Sequence, residues 1–431
     1  MPNAVETTIQ AMVFIVQVTP VGTNLGLVRM MWAMVNGSFL MSRGAIFPAL
    51  QAVGLGDNEM RRSWSAMAKG AWQIDELLET WQLYVRRENR WSENRYQGYR
   101  VVSIDITGFW RPKLQNWAGK HYHSMAGKAL PAVVFGVMAV SGRIHEKRIP
   151  LLHGIIRCPE EQSDAEFRVE LLKKAAKRRL PDEVNVLDAG FKLREIHEAG
   201  LSGYVVRLQS NCTARRNELP VYKGIGAHPK YGEIIRPLAR RHKGKEIAAS
   251  QAEETTKFNY ETRTIQVALW HQLVTRETKV SSDAKSFSVF VLTDPHYTNP
   301  LVLATDLALS AESAYLIYRD RWPVEQPPLA AKQMIGLHRQ FVSAEEACYR
   351  LPELALLAGS ILTHVAAILP PIPSGFWDRK PKATPGRLRR LLGQADFPTL
   401  AEFDPQLRKK ASVTDHLPKG IDGHRRQKQA A

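Results

Sequence analysis

The feature that most constrains the fold is a succession of strand-like and helix-like segments between residues 99 and 209. Three apolar, β-branched runs follow one another without a helix between them, which predicts a meander of strands. Two shorter apolar runs then alternate with helices, which predicts an α/β layer with a mixed sheet. The segments are, in order, strands Tyr99–Ile106, Leu130–Val140 and Arg148–Arg157, helix Glu161–Leu180, strand Val184–Leu187, helix Lys192–Ala199 and strand Gly203–Gln209.

Two aspartates lie at the ends of predicted strands in this layer. Asp105 is near the end of the first strand, and Asp188 directly follows the fourth. Strand ends hold side chains rigidly, so neighbouring strands can bring two carboxylates together. A divalent cation between them would remove their repulsion, and hard oxygen ligands select Mg²⁺ or Mn²⁺. The alternative is that each aspartate only forms a turn.

A third group of polar residues lies further along the chain. Its members, spaced by three, four and seven residues, are Tyr318, Arg321, Glu325 and Lys332. On a continuous helix, all four side chains would lie along one face. From the residues alone, this stripe is either functional or a surface row of ion pairs.

The spacing Tyr-(2)-Arg-(3)-Glu-(6)-Lys resembles the signature of bacterial insertion-sequence transposases of the IS-four type. The run from Tyr318 to Glu325 is similar to that motif, including the Trp after the second Arg. Asp105 and Asp188 stand where the first two catalytic carboxylates of this DDE family would fall. The resemblance covers about residues 100–340. It implies an α/β, RNase H-like fold of the retroviral-integrase type, with a mixed sheet, a β-rich insertion and a helical N-terminal domain.

The resemblance also implies a role for each residue of the motif. The catalytic and metal-binding residues would be Asp105, Asp188 and Glu325. They would hold two Mg²⁺ or Mn²⁺ ions for in-line displacement at a phosphodiester. The DNA-binding residues would be Tyr318, Arg321, Trp322 and Lys332. Arg321 and Lys332 would contact phosphates, and Trp322 would stack on bases at the transposon end.

The implied reaction is DNA transposition in the bacterial cytoplasm, in association with the nucleoid. The protein would bind the terminal inverted repeats of its transposon, pair two ends as a homodimer, cut the DNA and join the 3′ ends to target DNA. Cutting could pass through a hairpin at the transposon end. Trp270 is a second candidate for base stacking, and the alternative for it is an ordinary core position in a β-sheet.

The charge of the chain is consistent with a nucleic-acid partner. The 431 residues include 59 Lys and Arg against 42 Asp and Glu, a net charge of +17. This excess favours DNA, although a ribosomal or membrane-surface protein would share it. Residues 215–245 carry nine basic residues against two acids, and residues 379–431 carry thirteen against five. We expect the second segment to be a flexible tail that contacts DNA, or a solvated tail without a role.

Changes in sequence character divide the chain into five segments. They are a helical N-terminal DNA-binding domain (1–95), the first part of the catalytic domain (96–210), a β-rich insertion (211–310), a second catalytic part with the Glu-bearing helix (311–370) and a basic C-terminal region (371–431). The alternative for the first segment is a plain helical cap on the main domain.

Targeting and membrane signals are weak. The start of the chain has no secretory pattern. Leu351–Leu369 is nearly long enough to cross a membrane, but Glu353 and His364 interrupt it, which predicts a buried helix of a soluble protein. The three cysteines are far apart and form no CxxC pair, which argues against a disulfide framework.

One departure from the motif motivates a rival hypothesis. Pro327 and Pro328 follow the motif glutamate, and a proline inside a helix costs about 3 kcal/mol or more, so Lys332 would lie beyond a kink. The rival is a catalytically inactive or domesticated DNA-binding protein derived from a transposase. A third alternative is an RNase H-like nuclease without strand transfer, against which the basic insertion and tail count. His121 and His123 are expected in a basic loop that faces DNA rather than as metal ligands.

Overall fold

Six helices form the first part of the computed structural model, which describes residues 2–222, 224, 226–397 and 407. They are α1 (Pro2–Val16), α2 (Thr23–Val35), α3 (Ser38–Met41), α4 (Ile46–Ala52), α5 (Asp57–Lys69) and α6 (Ile74–Arg87). Both α5 and α6 have acidic residues in the first turn and basic residues in the last, which suits the helix dipole. α2 is apolar on nearly every side, so it lies almost wholly inside the protein.

Eight strands and two helices follow. They are β1 (Ser92–Glu93), β2 (Arg95–Tyr96), β3 (Tyr99–Trp110), β4 (Lys120–His123), β5 (Lys128–Ile144), β6 (Lys147–Arg157), α7 (Asp164–Arg178), β7 (Glu183–Leu187), α8 (Leu193–Glu198) and β8 (Tyr204–Arg207). The seven segments predicted between residues 99 and 209 are all present, with strand ends shifted by up to a few residues. α7 begins where a capping box predicts it, because Ser163 and Glu166 satisfy each other's backbone N–H groups.

Five of these strands form the central part of one large sheet, in the spatial order β6-β5-β3-β7-β8. β3, β5 and β6 are antiparallel neighbours, whereas β7 runs parallel to β3 and β8 runs parallel to β7. The chain is therefore a mixed α/β protein, and the first long strand lies in the middle of the central strands.

The predicted insertion is mainly β structure and extends this same sheet. Its strands are β9 (Ala214–Arg216), β10 (Ile234–Ile235), β11 (Arg240–His242), β12 (Lys245–Ile247), β13 (Glu254–Tyr260), β14 (Arg263–Thr275), β15 (Phe287–Thr293) and β16 (Leu301–Thr305). β16 pairs antiparallel with β8, and β15, β14 and β9 follow in order, whereas β11 and β12 pair with each other in a separate two-stranded sheet. Because β16 covers β8, the parallel part of the sheet has no free edge on that side.

The helical segment that carries the motif is interrupted, as the kink predicted at Pro327 and Pro328 requires. The chain forms α9 (Ala311–Arg319), a 3₁₀ turn (Trp322–Glu325), α10 (Gln326–Leu329) and a π-helical turn (Ala330–Met334). Pro323, Pro327 and Pro328 lack the N–H that an α-helix needs, and they fall where the helical type changes.

The last two helices are α11 (Glu345–Ile368) and α12 (Pro385–Leu392). Within the described part of the chain, α11 alone is long and apolar enough to cross a membrane, and its apolar 18-residue window is entirely buried in the protein. Its two polar interruptions have partners, since Glu353 forms a two-point contact with Arg157 (2.6 and 2.7 Å) and His364 lies 3.3 Å from Glu88. The predicted buried helix is confirmed.

The N-terminal helices pack onto α11 and the sheet. α1, α2 and α5 contact α11, and α6 lies on β6. Side chains from both regions belong to a single apolar core. Helices α1 to α6 therefore form a cap on the sheet, and a role for residues 1–95 in DNA binding stays a prediction.

The basic C-terminal region is structured near its beginning. α12 buries Leu388 and Leu392, and Leu407 is also buried. The expectation of a flexible tail is therefore wrong for residues 385–392. Residues 398–406 and 408–431, on which most of that expectation falls, lie outside the described residues.

Candidate active site

Strand register brings the two predicted aspartates side by side. Ser103 of β3 lies opposite Val186 of the parallel strand β7. Asp105 and Asp188 each follow two residues later, so they stand at the same level on neighbouring strands, which are about 4.8 Å apart. Both side chains are partly exposed. The two carboxylates therefore lie side by side near the protein surface.

The environment of Asp105 opposes a negative charge. Burial, and then the charge of Asp188, raise the pKa of the Asp105 carboxyl to about 6, although the nearby Arg321 opposes this rise. One oxygen of Asp105 accepts a hydrogen bond from the Ile106 N–H (2.8 Å), and one oxygen of Asp188 accepts from the Gly190 N–H (2.9 Å). Two crowded carboxylates of this kind need a cation to be fully ionised together.

Glu325 joins the two aspartates through Arg321. The Arg321 guanidinium donates a 2.6 Å hydrogen bond to Glu325 Oε1 and lies 4.0 Å from Asp105 Oδ2. The charge of Glu325 also contributes to the raised pKa of Asp105. Burial disfavours the charged guanidinium, but the hydrogen bond that it donates to Glu325 keeps the pKa of Arg321 above its ordinary value. Arg321 thus links Glu325 to Asp105, and Asp105 in turn lies beside Asp188 on the neighbouring strand.

Lys332 also lies close to the carboxylates, although Pro327 and Pro328 stand between it and Glu325 in the chain. Its Nζ donates a 2.6 Å hydrogen bond to the Thr107 hydroxyl and lies 4.9 Å from the centre of the Trp110 ring. Burial lowers the pKa of Lys332 to about 8, while the charge of Asp105 opposes the decrease. The interruption of the helix therefore does not separate Lys332 from the carboxylates.

The carboxylates fit a divalent metal in their chemistry. Asp105 and Asp188 supply hard oxygen ligands from two adjacent strands, as Mg²⁺ and Mn²⁺ require. The prediction that Asp105 lies near a strand end is wrong, because β3 continues to Trp110. As they are placed in the described residues, no three His, Cys, Asp or Glu side chains are close enough to enclose an ion. Glu325 is 41% exposed, so its side chain has room to leave Arg321 and turn towards the aspartates.

Tyr318 and Trp322 line a cavity of about 520 Å³ beside the carboxylates. The cavity adjoins the cluster of Asp105, Asp188 and Glu325, because Arg321, which contacts this cluster, also lines the cavity. Trp322 is 51% exposed, so one face of the indole is available to a ligand. The other lining residues include Tyr297, Arg148, Arg207 and Arg319. A cavity with cations and aromatic rings can bind phosphates and stack on a base.

Three residues considered in the sequence have other roles. Trp270 is 1% exposed and its ring N–H donates to the Gln251 carbonyl (2.9 Å), so its candidacy for base stacking is wrong and it is a core residue. His121 lies 3.4 Å from an oxygen of Asp164. His123 packs edge-to-face against Trp110 (4.6 Å between centres), so neither histidine joins the carboxylates.

Asp320 is a residue of this region that sequence reasoning missed. It is 2% exposed, and its Oδ2 accepts hydrogen bonds from Asn94 Nδ2 (2.6 Å) and the Tyr96 hydroxyl (2.9 Å). Its backbone carbonyl accepts from the hydroxyls of Ser103 (3.1 Å) and Ser141 (2.6 Å). These contacts attach the turn before Arg321 to the strands that carry and flank Asp105.

Arg148 completes this attachment. Its guanidinium lies 3.7 Å from an oxygen of Asp320 and donates a 2.6 Å hydrogen bond to the Arg319 carbonyl. The only sequence signal for Asp320 is an acid directly before Arg321 in a motif that does not require it. Thr107 was also missed, although it follows Asp105 by two residues and so shares its face of the strand.

No protein-family model fits the chain, and no curated protein matches it. The role of these residues therefore has to be argued from their chemistry and their placement.

Asp105→Asn is expected to stabilise the metal-free protein at pH 8 but not at pH 3.5. The folded pKa of about 6 exceeds the ordinary value of 3.8, so folding favours the protonated carboxyl. That contribution is complete below pH 3.8 and is lost as the pH rises through about 6. Asparagine carries no charge, so the variant avoids this loss of stability at pH 8. We expect its free energy of unfolding at pH 8 to exceed that of the wild type by about 2–3 kcal/mol, measured by urea unfolding in EDTA.

Asp182→Asn is the matched control, because Asp182 precedes β7 at its opposite end, is largely exposed and pairs with Arg95 (2.9 Å). Its arginine partner lowers its pKa, so it should give no gain at pH 8. Added Mg²⁺ should stabilise the wild type more than Asp105→Asn. An equal gain at both pH values would contradict the prediction.

Proposed function

We propose that this protein is a DDE-type, metal-dependent DNA transposase with an RNase H-like core. The observation that carries the proposal is the meeting of Asp105, Asp188 and Glu325, from three distant segments, beside Arg321 and Lys332. A surface row of ion pairs would not require Asp105 or Asp188 to lie next to Glu325. Arg321 lies against the Tyr318 ring and contacts Glu325 and Asp105, and the charge of Asp105 also acts on Lys332.

The sheet supports the RNase H-like part of the proposal. The element order strand-strand-strand-helix-strand-helix-strand is the order of that fold, and the mixed sheet leaves β3 and β7 adjacent. Asp105, in the middle of β3, and Asp188, directly after β7, are carried by adjacent parallel strands, which would hold the two ligands rigidly. The β-rich insertion between β8 and α9 is the other feature that such a transposase would have.

Each residue of the site has a task in the proposed reaction. Metal ions held by the three carboxylates would activate the attacking water or 3′-hydroxyl and stabilise the leaving oxygen. Arg321 would exchange its contact with Glu325 for a phosphate oxygen, which frees that carboxylate. Lys332 would hold a second phosphate close to Asp105, and the phosphate would favour the charged form of this lysine.

The cavity beside the carboxylates would hold the DNA strand next to the cut. Its arginines are suited to phosphates, and the exposed face of Trp322 is suited to a base, at about 1–3 kcal/mol per stacked base. The Tyr318 hydroxyl would donate a hydrogen bond to a phosphate. The +17 charge would strengthen binding to long DNA at low salt.

The rival function is DNA binding without catalysis, by a protein derived from a transposase. The observation in its favour is that Arg321 pairs with Glu325 at 2.6 Å and that the carboxylates among the described residues do not enclose an ion as they stand. A permanent ion pair at this position would keep Glu325 from a metal.

Cleavage of DNA that carries the terminal repeats of the protein's own element separates these functions. With Mg²⁺ or Mn²⁺, we expect cuts at the element boundary, a hairpin species on a denaturing gel, and joining of the 3′ ends to a plasmid. Specific binding without cleavage in either metal would favour the rival. Cuts at many positions without joining would favour a plain nuclease.

A further inference from the structure

Two adjacent aromatic side chains project into solvent on a short loop after α11. In this aromatic loop, which we define as residues 374–382, Phe376 is 99% exposed and Trp377 is 67% exposed. Their rings are 5.0 Å apart and nearly perpendicular. Single exposed apolar residues are ordinary, but two large neighbouring rings left in water are typical of a binding surface.

The backbone of the aromatic loop is held in place by Asp378. Its carboxylate accepts hydrogen bonds from the N–H (2.9 Å) and hydroxyl (3.0 Å) of Ser374 and from the Lys380 N–H (3.1 Å). It also pairs with Arg387 of α12 at 2.7 Å. The negative charge in the loop is therefore already neutralised from within the protein.

Two further contacts fasten the ends of the loop. The Ile372 N–H donates to the Lys382 carbonyl (3.2 Å), and Lys147 Nζ donates to the Ala383 carbonyl (2.9 Å). The exposed rings thus stand on an ordered base. A rigid aromatic platform loses little conformational entropy when it binds a ligand.

Glycine at position 375 permits the position of the indole. A Cβ on Gly375 would lie 2.5 Å from the six-membered ring of Trp377, closer than such atoms approach. The ring therefore rests against the bare backbone of Gly375. This support leaves the remaining surface of the indole free to stack on a flat partner.

Three cations follow the two rings directly. Arg379, Lys380 and Lys382 are exposed, and none of them has an ion pair within the described ranges of the chain. Because Asp378 is paired with Arg387, the loop presents a net positive charge next to its aromatic rings. Cations beside stacking platforms are the combination by which proteins bind single-stranded nucleic acid.

We propose that the aromatic loop is a second DNA-binding site, separate from the carboxylates, that takes an unpaired stretch of DNA. Arg379, Lys380 and Lys382 bind its phosphates, and Phe376 and Trp377 stack on its bases. The choice of DNA among polyanions rests on the proposed function. An unpaired stretch fits better than an intact duplex, because bases inside a duplex have no free face for stacking.

The test uses the full chain and a fluorescein-labelled single-stranded DNA of mixed sequence, in EDTA so that nothing is cut. Phe376→Ala/Trp377→Ala is expected to weaken binding about tenfold or more, from the loss of stacking. The salt dependence of binding should stay unchanged. Trp377→Phe alone should keep most of the affinity, because a phenyl ring still stacks.

A variant without the three cations is expected to change the salt dependence of binding, which the alanine variant leaves unchanged. Arg379→Gln/Lys380→Gln/Lys382→Gln is expected to reduce the slope of log affinity against log salt by about 2, since each phosphate contact in single strands contributes about 0.7. Met41→Ala is the control, because Met41 is an apolar residue of α3 that is 83% exposed and far from the loop in sequence. It should leave both affinity and slope unchanged.

Unchanged DNA affinity in the double alanine variant would overturn the proposal, and so would a wild type that binds no DNA. Vesicles of phosphatidylserine that bind through Phe376 and Trp377, while DNA affinity stays unchanged, would assign the loop to a membrane surface instead. The proposal for the aromatic loop and the proposed transposase function can be refuted independently of each other. A protein that never cleaves, but whose loop variants lose DNA affinity, would refute only the transposase, whereas normal cleavage with unaffected loop variants would refute only the loop.

Discussion

Asp188→Asn and Glu325→Gln are each expected to lower the rate of DNA cleavage by about a thousandfold or more. Metal ligands of this kind support several kcal/mol of transition-state stabilisation, and each 1.4 kcal/mol corresponds to about tenfold in rate. Both amides keep the size of the side chain but remove the charge that would hold a cation. The measurement is single-turnover cleavage of terminal-repeat DNA in Mg²⁺, with binding to the same DNA recorded in EDTA.

Asp182→Asn again provides the control from the same strand. It removes a carboxylate at the far end of β7, where the side chain is exposed and paired with Arg95. Exposed ion pairs contribute little, so we expect cleavage within about twofold of the wild type. Cleavage by Asp188→Asn at the wild-type rate, or an equal loss in Asp182→Asn, would contradict the assignment of Asp188.

Asp320→Ala is expected to destabilise the protein by about 3 kcal/mol and to lower kcat for cleavage by more than tenfold, with little change in KM. The alanine leaves Asn94 and Tyr96 without their buried acceptor and removes the charge beside Arg148, which is itself one-third exposed. The kinetic effect follows because the turn it anchors carries Arg321 and Glu325. Urea unfolding and single-turnover kinetics on the folded protein give the two quantities.

Asp320→Asn separates the shape of this side chain from its charge. An asparagine oxygen can still accept from Asn94 and Tyr96, and only the attraction to Arg148 is lost. Burial raises the pKa of Asp320 in spite of its hydrogen bonds, so the ionised form is costly near neutral pH. The asparagine variant should therefore lose much less stability and activity than alanine. Full kcat in the folded fraction of Asp320→Ala would show that Asp320 is only structural.

The strands around the candidate site could be predicted because their signals are local. Tyr99–Trp110 and Glu183–Leu187 are short apolar runs with β-branched residues, and the strand conformation follows from such runs. Asp105 and Asp188 could be suspected because each falls at the end of a predicted strand, although β3 continues past Asp105 to Trp110. Their adjacency could not be derived, since it depends on the parallel pairing of two strands that are separated by three other strands and a helix.

The errors have a common physical origin. Trp270 and Trp322 are the same residue type and were both candidates for base stacking, but packing makes one a core residue and leaves the other half-exposed. Asp320 looked like an ordinary acid of a surface turn, because its partners come from strands more than 170 residues away. The burial of a side chain and its hydrogen-bond partners depend on segments that are distant in sequence, and local sequence patterns do not contain that information.

The sequence by itself determined the local elements, the excess of positive charge and the chemical types at the strand ends. Backbone periodicity and side-chain size act over a few residues, so they can be recognised in the chain. The tertiary structure alone decided that Asp105, Asp188, Glu325 and Lys332 meet despite the prolines, and that Phe376 and Trp377 remain in water. Such placements follow from many weak contacts between distant segments, whose sum is decided only when the whole chain is packed.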